Sequence, residues 1–220
     1  GMGTWLAVFD HNGDLAGSIS QRPNLMPILG LLEKKGDEIF ANADSVIVEV
    51  DMDKDIIKKV VTLAKQYNKK LYGVVSNMSI AVERRDFLKH FDCFICNQLE
   101  AGMLFMEDYA DKSPEELRDI LSKRVILGKI PAMIVTMGGN GAVYADVNGE
   151  KGICPPQRVR VKDTTGAGDA FCAGVASGLT YGKTLSEAVE IGSRLAASVI
   201  TSSENVCPRF LPEEFGITLD

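Results

Sequence analysis

Histidine occurs only twice and tryptophan once in the 220 residues, which excludes a metal or catalytic centre built on three imidazoles. His11 falls in a turn and His90 at the end of a helical segment, and neither has neighbours that suggest catalysis. No apolar run reaches the roughly 20 residues needed to cross a bilayer. The amino terminus has neither the basic stretch nor the long apolar segment of a signal peptide, so a soluble, cytoplasmic chain without a membrane partner is expected. Gly1 ahead of Met2 reads as a remnant of tag removal, with Met2 the native start. Positive charge is in the minority, with 24 Lys and Arg against 30 Asp and Glu for a net charge of −6. That balance argues against a nucleic-acid partner, which needs a basic face. It does not exclude a nucleotide, which backbone amides can hold. The five cysteines, Cys93, Cys96, Cys154, Cys172 and Cys207, are odd in number and lack framework spacing, so reduced thiols are expected. Cys93 and Cys96 have metal-ligand spacing, but in a strand residues three apart face opposite sides and cannot converge.

What is present is ordinary globular material, 45% hydrophobic and 25% charged, and residues 1–220 read as one domain. Thr4 to Phe9 reads as a strand, Asp10 to Asp14 as a turn, and Leu15 to Ser20 as the returning strand. After Pro23 a helical pattern places Leu29, Leu32, Ile39 and Phe40 on one side. Then strands and helices alternate: Ser45–Val50, a helix from Asp53 to Tyr67, Lys70–Val75, a helix near Ile80 to His90, Asp92–Asn97 and a short helix. Ser113-Pro-Glu-Glu116 is a capped helix start leading to about Leu127. Ala132–Met137 ends at Gly138-Gly-Asn-Gly141, and Asn148-Gly149 turns a hairpin between Ala142–Val147 and Lys151–Cys154. Two last helices span roughly Gly168–Thr180 and Thr184–Ile200. This alternation predicts an α/β fold, a doubly wound, mostly parallel sheet with helices on both faces, whose ligand sits at the carboxyl ends of the strands.

The run Asp163-Thr-Thr-Gly-Ala-Gly-Asp169 carries the chemistry. Gly166, Ala167 and Gly168 precede an apolar helix, whose unpaired first N–H groups and dipole make an anion hole. Asp169 lies in its first turn, placed to accept a proton from an attacking hydroxyl. Anion hole and base together suit in-line phosphoryl transfer. The bland alternative is a strand-to-helix turn with Asp169 as an N-terminal charge.

Extended through Ala170 and Phe171, the run resembles without mismatch the defining signature of the ribokinase (PfkB) family of carbohydrate kinases. The resemblance implies the ribokinase-like fold, ATP as donor and Mg²⁺ as cofactor. Asn97-Gln-Leu-Glu100 is similar to the family's Asn-x-x-Glu motif, so Asn97 and Glu100 would place Mg²⁺ through water. Thr136-Met-Gly-Gly-Asn-Gly141 is similar to the nucleotide loop, implying ATP contacts from Thr136, Gly138, Gly139 and Gly141. Asp163 and the Thr165 carbonyl would hold a monovalent cation such as K⁺. Ser193 would neighbour the adenine. Glu49 matches a residue that contacts the sugar, although a solvated strand-end charge is an equal reading. Gly3-Thr4, Val75–Ser79 and Asn205-Val-Cys-Pro208 look most like the pseudouridine-kinase branch.

Family members carry a long segment ahead of the region matched here, with a glycine-rich sugar-gripping motif. The chain is therefore expected to be amino-terminally truncated, with residues 4–20 as the remnant hairpin of a β lid. The exposed sheet edge this would leave predicts a homodimer or a rearranged sheet. The expected function is ATP-dependent phosphorylation of a hydroxymethyl group on a sugar or nucleoside, pseudouridine among them. The alternative is a non-catalytic nucleotide-binding remnant, or half of a two-piece kinase. A dinucleotide oxidoreductase fits less well, since no Gly-x-Gly-x-x-Gly follows the first strand. Gly182-Lys-Thr184 echoes a P-loop end but reads as a turn with an N-cap threonine.

Overall fold

The computed structural model describes residues 2–9, 15–77, 81–202, 206 and 210–218. The expected 10–14 turn with His11, Met78 and Ser79, Cys207 and most of the Asn205–Pro208 motif lie outside the described residues. Short apolar runs rich in Val, Ile and Phe form the parallel strands β3 (Ser45–Glu49), β4 (Lys70–Val74), β5 (Cys93–Asn97) and β6 (Ala132–Thr136). Two antiparallel strands, β7 (Ala142–Asp146) and β8 (Lys151–Cys154), complete a six-stranded sheet in sequential order β3-β4-β5-β6-β7-β8. The runs are continuous because both faces are covered. In β5, Phe94 and Cys96 join the core on one face while Cys93 and Ile95 join the other. The two thiols therefore diverge, as strand geometry requires.

One face carries α1 (Met26–Asn42), α2 (Lys54–Gln66), α3 (Gln98–Phe105) and α4 (Pro114–Gly128). Successive crossovers of one hand place their helices on one face when the strand order does not reverse. The fully buried Ile56, Ile57, Leu63, Phe91 and Phe94 lie here, each worth about 1.5–3 kcal/mol of transfer free energy. Along α1 the buried stripe is Leu32, Gly36 and Phe40. Ile39 lies at its margin and is 41% exposed, unlike the expected inward position. The helix expected near Ile80–His90 is a 3₁₀ segment over Val82–His90. Of its side chains Phe87 and Leu88 are buried; with so few apolar residues, no 3.6-residue stripe imposes α geometry.

The opposite face is closed by α5 (Ala167–Thr180) and α6 (Leu185–Ile200), which pack on Tyr72, Ile95, Ile134 and Tyr144. Their axes come close where Gly174 meets Gly192; a Cβ on Gly174 would lie 2.8 Å from the Gly192 Cα. Helices thus cover both sides of a mixed sheet. Apart from it, β1 (Thr4–Phe9) and β2 (Leu15–Gln21) pair only with each other, with Leu6 opposite Ile19.

Candidate active site

Three helices have their amino termini closed by reciprocal capping boxes: Asn97 with Glu100, Ser113 with Glu116, and Thr184 with Glu187. The start of α5 has no side-chain cap. Gly166 sits there at φ 82°, a left-handed conformation suited to glycine. The Gly166 carbonyl accepts from Ala170 N–H at 2.9 Å, and the N–H groups of Gly168 and Asp169 precede that first helical bond. The sequence thus leaves open the one helix end that follows its glycine run.

Two cavities meet at this end. The larger, about 640 Å³, is lined by the expected residues Thr136, Gly138, Gly139, Gly141, Gly168 and Ser193, with Ala167 beside them. The smaller, about 270 Å³, is lined by Glu49, Asn97, Glu100 and Asp169. Thr136 and Gly168 line both, so Gly168 is the seam and Asp169 faces the smaller side. Gly166, Asp163 and Thr165 line neither cavity, although Thr164 borders the larger. The nucleotide-loop glycines are held by geometry: Gly141 has φ 86°, and a Cβ there would fall 2.1 Å from the Cys154 carbonyl oxygen.

Several of these side chains have second partners. The Asn97 Oδ1 accepts from Glu100 N–H at 2.9 Å, and the Glu100 Oε2 accepts from Asn97 N–H at 2.7 Å. The motif is therefore a helix cap as well as a wall of the smaller cavity. Burial pushes the Glu100 carboxyl above the usual range, offset in part by that backbone bond, and a cation alongside would relieve the cost of its charge. The Asp163 Oδ1 accepts from Thr165 N–H at 2.8 Å, and this bond holds its carboxyl below the usual range. Glu49 accepts from the Ser76 hydroxyl at 2.5 Å. The Cys154 thiol donates to the Pro155 carbonyl at 3.7 Å, and burial raises it, offset in part by the Ser193 hydroxyl.

Residues outside the sequence expectations complete the walls. The loop Pro156–Val161 flanks the larger cavity and contributes Gln157, Arg158, Val159 and Val161. Its far end is tied by Lys162 N–H to the Ile200 carbonyl at 2.7 Å. An irregular segment has no period to read, so no sequence signal marked it. Ser76 and Cys172 line the smaller cavity. Cys172 could have been found, because it lies three residues from Asp169 on one helical face. Its thiol is pushed up to about 12, by burial first and by Asp169 and Glu100 next, so it stays protonated.

The mixed sheet covered on both sides, with a glycine turn opening a helix at the strand ends, is a ribokinase-like α/β fold. The ribokinase of Arabidopsis thaliana, solved with ribose and ATP, has this architecture: TM-score 0.76 at 18% identity, covering 93% of this chain and 66% of that one. The family model for pfkB family carbohydrate kinases matches residues 20–207, and the chain belongs to that family. The guanosine-inosine kinase of Exiguobacterium acetylicum is 34% identical over 208 residues, 93% of this chain and 67% of that protein. The pseudouridine kinase of Escherichia coli K12 is 35% identical over 69 residues, 31% of this chain and 22% of that protein. The likeness to that branch is thus confined to a short stretch. The chain spans about two thirds of the length of the guanosine-inosine kinase it matches.

Proposed function

We propose that this chain supplies the nucleotide half and the base of an ATP-dependent kinase acting on a hydroxymethyl group of a nucleoside or sugar. The observation that carries the reading is the meeting of two unequal cavities at Gly168, with Asp169 on the smaller side. The larger volume suits a nucleotide, and the smaller suits the part of an acceptor that presents its hydroxyl. The likeness to a guanosine-inosine kinase over nearly the whole chain favours a purine nucleoside such as inosine.

In this reading the Asp169 carboxylate takes the hydroxyl proton as the acceptor oxygen bonds to the terminal phosphorus of ATP. The bond from that phosphorus to the bridging oxygen breaks, and ADP departs. Of the expected anion hole of Gly166, Ala167 and Gly168, the Ala167 N–H already donates to the Thr164 carbonyl at 3.2 Å. The Gly168 N–H, with that of Asp169 and the dipole of α5, would therefore stabilise charge on the phosphoryl oxygens. Glu100, with Asn97 beside it, would hold Mg²⁺ through water. This donor set fits a metal that keeps several waters and takes few protein carboxylates. The metal would neutralise charge on the phosphates. Asp163 and the Thr165 carbonyl would hold K⁺ next to the glycine turn, a fit supported by the anionic form that the Thr165 N–H favours at Asp163. Glu49, oriented by Ser76, would accept a hydrogen bond from an acceptor hydroxyl. Residues 4–20 would act as a small lid on the single domain. Buried or half-buried unpaired thiols at Cys93, Cys96, Cys154 and Cys172 support a reducing, cytoplasmic setting.

A second reading, a nucleotide-binding piece that needs another chain to complete its acceptor side, is favoured by one observation. No described residue of the β1–β2 hairpin lines the smaller cavity. Calorimetric binding of Mg·ATP, followed by coupled ADP release with inosine, guanosine, pseudouridine and ribose, separates the two. Turnover by the chain alone supports the first; binding without turnover supports the second; absence of both defeats the proposal.

A further inference from the structure

The β1–β2 hairpin has no strand pairing to the main sheet, and Leu6, Val8 and Ile19 on one side and Trp5 on the other are 57–72% exposed. Something other than apolar burial must fix where it points. Arg22, the first residue after β2, donates from Nη2 to the Asp51 carbonyl oxygen at 2.7 Å and to Asp51 Oδ2 at 3.2 Å. Asp51 is 3% exposed, the one buried charged side chain among the described residues. A carboxylate that deep depends on its counter-charge, and a guanidinium gripping both main chain and side chain of one residue fixes direction as well as distance.

Both ends of this contact are stiff. Pro23 follows Arg22, which limits the backbone on both sides, and Gly3 sits against its ring so closely that a Cβ would lie 2.9 Å from Pro23 Cδ. Asp51 belongs to the turn that ends β3, where Met52 N–H donates to the Glu49 carbonyl at 3.2 Å and Val50 N–H donates to the Val74 carbonyl at 2.8 Å. Glu49, two residues earlier, faces the smaller cavity.

We infer that Arg22 and Asp51 are a positioning pair, pinning the base of the hairpin to the β3 turn so that hairpin orientation and the Glu49 wall are set together. The pinning rests on the geometry alone. Its effect on acceptor binding rests on the kinase reading above.

Trp5, the chain's sole tryptophan, lies in the hairpin and reports on it directly. Time-resolved anisotropy of the full chain should show the nanosecond segmental component of Trp5 roughly doubling in Arg22→Gln, and rising less in Asp51→Asn, which keeps the Asp51 carbonyl as acceptor. The double variant should go no further than Arg22→Gln alone, which already removes both contacts, the one to the Asp51 carbonyl included. Arg22→Lys, which keeps the charge but not the planar guanidinium that carries Nη2 to the Asp51 carbonyl and carboxylate oxygens, should fall between. Lys70→Gln, which removes the surface pair with Asp92 on the main sheet, should leave Trp5 unchanged. With inosine as acceptor, Arg22→Gln should raise the KM for inosine about tenfold while kcat and the KM for ATP change little. Circular dichroism establishes which variants fold; should Asp51→Asn fail, the Arg22 variants decide. Unchanged Trp5 motion in folded Arg22→Gln, or additive effects in the double variant, overturns the inference. Absence of inosine turnover by the unsubstituted chain counts against the kinase reading instead and leaves the Trp5 result to judge the pair.

Discussion

Asp169 stands in the first turn of α5 as an exposed carboxylate, and nothing in the core depends on it. Asp169→Asn should therefore leave the melting temperature and Mg·ATP affinity little changed. Its kcat should fall roughly 10²–10⁴-fold, the usual contribution of a positioned base. Calorimetry beside the coupled assay checks this, and a variant with near-normal kcat would remove Asp169 from the chemistry. The position of such a residue was legible in the sequence because it follows from local backbone: a glycine turn, a helix start and an acid one step inside. Asn97 and Glu100 were legible as a pair, but their reciprocal capping bonds show that the same spacing also serves the helix end. Ser76, which orients Glu49, was not legible, because only the parallel register of β3 on β4 brings it near.

Where α5 crosses α6, two glycines stand in for side chains. A methyl group on Gly174 would meet the Gly192 backbone at 2.8–2.9 Å and Leu195 at 3.0 Å, and backbone on both sides leaves little room to yield. Gly174→Ala should cost about 1–3 kcal/mol, in the range of overpacked cores. Thermal melts should register a drop of roughly 2–4 °C per kcal/mol; an unchanged melt would mean the helices part more readily than the contact implies. The capping boxes make a separate expectation. Glu116 and Glu187 are each held below the usual carboxylate range by the N–H of their own N-cap residue. A depressed folded-state value gives stability that is complete above the unfolded value near 4.3 and lost as pH falls through the folded one. Melting temperature should thus decline below about pH 4, less steeply in Glu187→Gln, which keeps the cap without the titration. Helices with caps and apolar periods were read correctly, α4 to within a residue or so at each end. The 3₁₀ segment and the Pro156–Val161 loop carry neither signal, and there sequence reading gave the wrong helix type or nothing.

At the scale of the whole molecule, two of the apolar features that face outward among the described residues lie at strands. The edge strand β3 exposes Ile47 by 49%, and one side of the hairpin exposes Leu6, Val8 and Ile19. Edges and apolar faces of this kind are covered in most stable proteins, so the homodimer expected from the sequence remains the prediction. Light scattering should give twice the chain mass of 23.8 kDa, and Ile19→Glu should shift the population towards single chains. A monodisperse monomer at micromolar concentration would refute it.

The walls of the paired cavities have one more consequence. Among the described residues lining them, the carboxylates Glu49, Glu100 and Asp169 are accompanied by a single guanidinium, that of Arg158. The three carboxylates stand in the smaller cavity, where the terminal phosphate of a nucleotide seated in the larger one would end. A bare nucleoside triphosphate should therefore meet repulsion there. Screening weakens that repulsion, so the association rate of a fluorescent ATP analogue in chelator should rise as tetramethylammonium chloride is added, where a lysine-rich phosphate site would slow. Capture would then favour nucleotide that arrives with its charge already neutralised by a divalent ion, making metal availability a control on encounter as well as on chemistry.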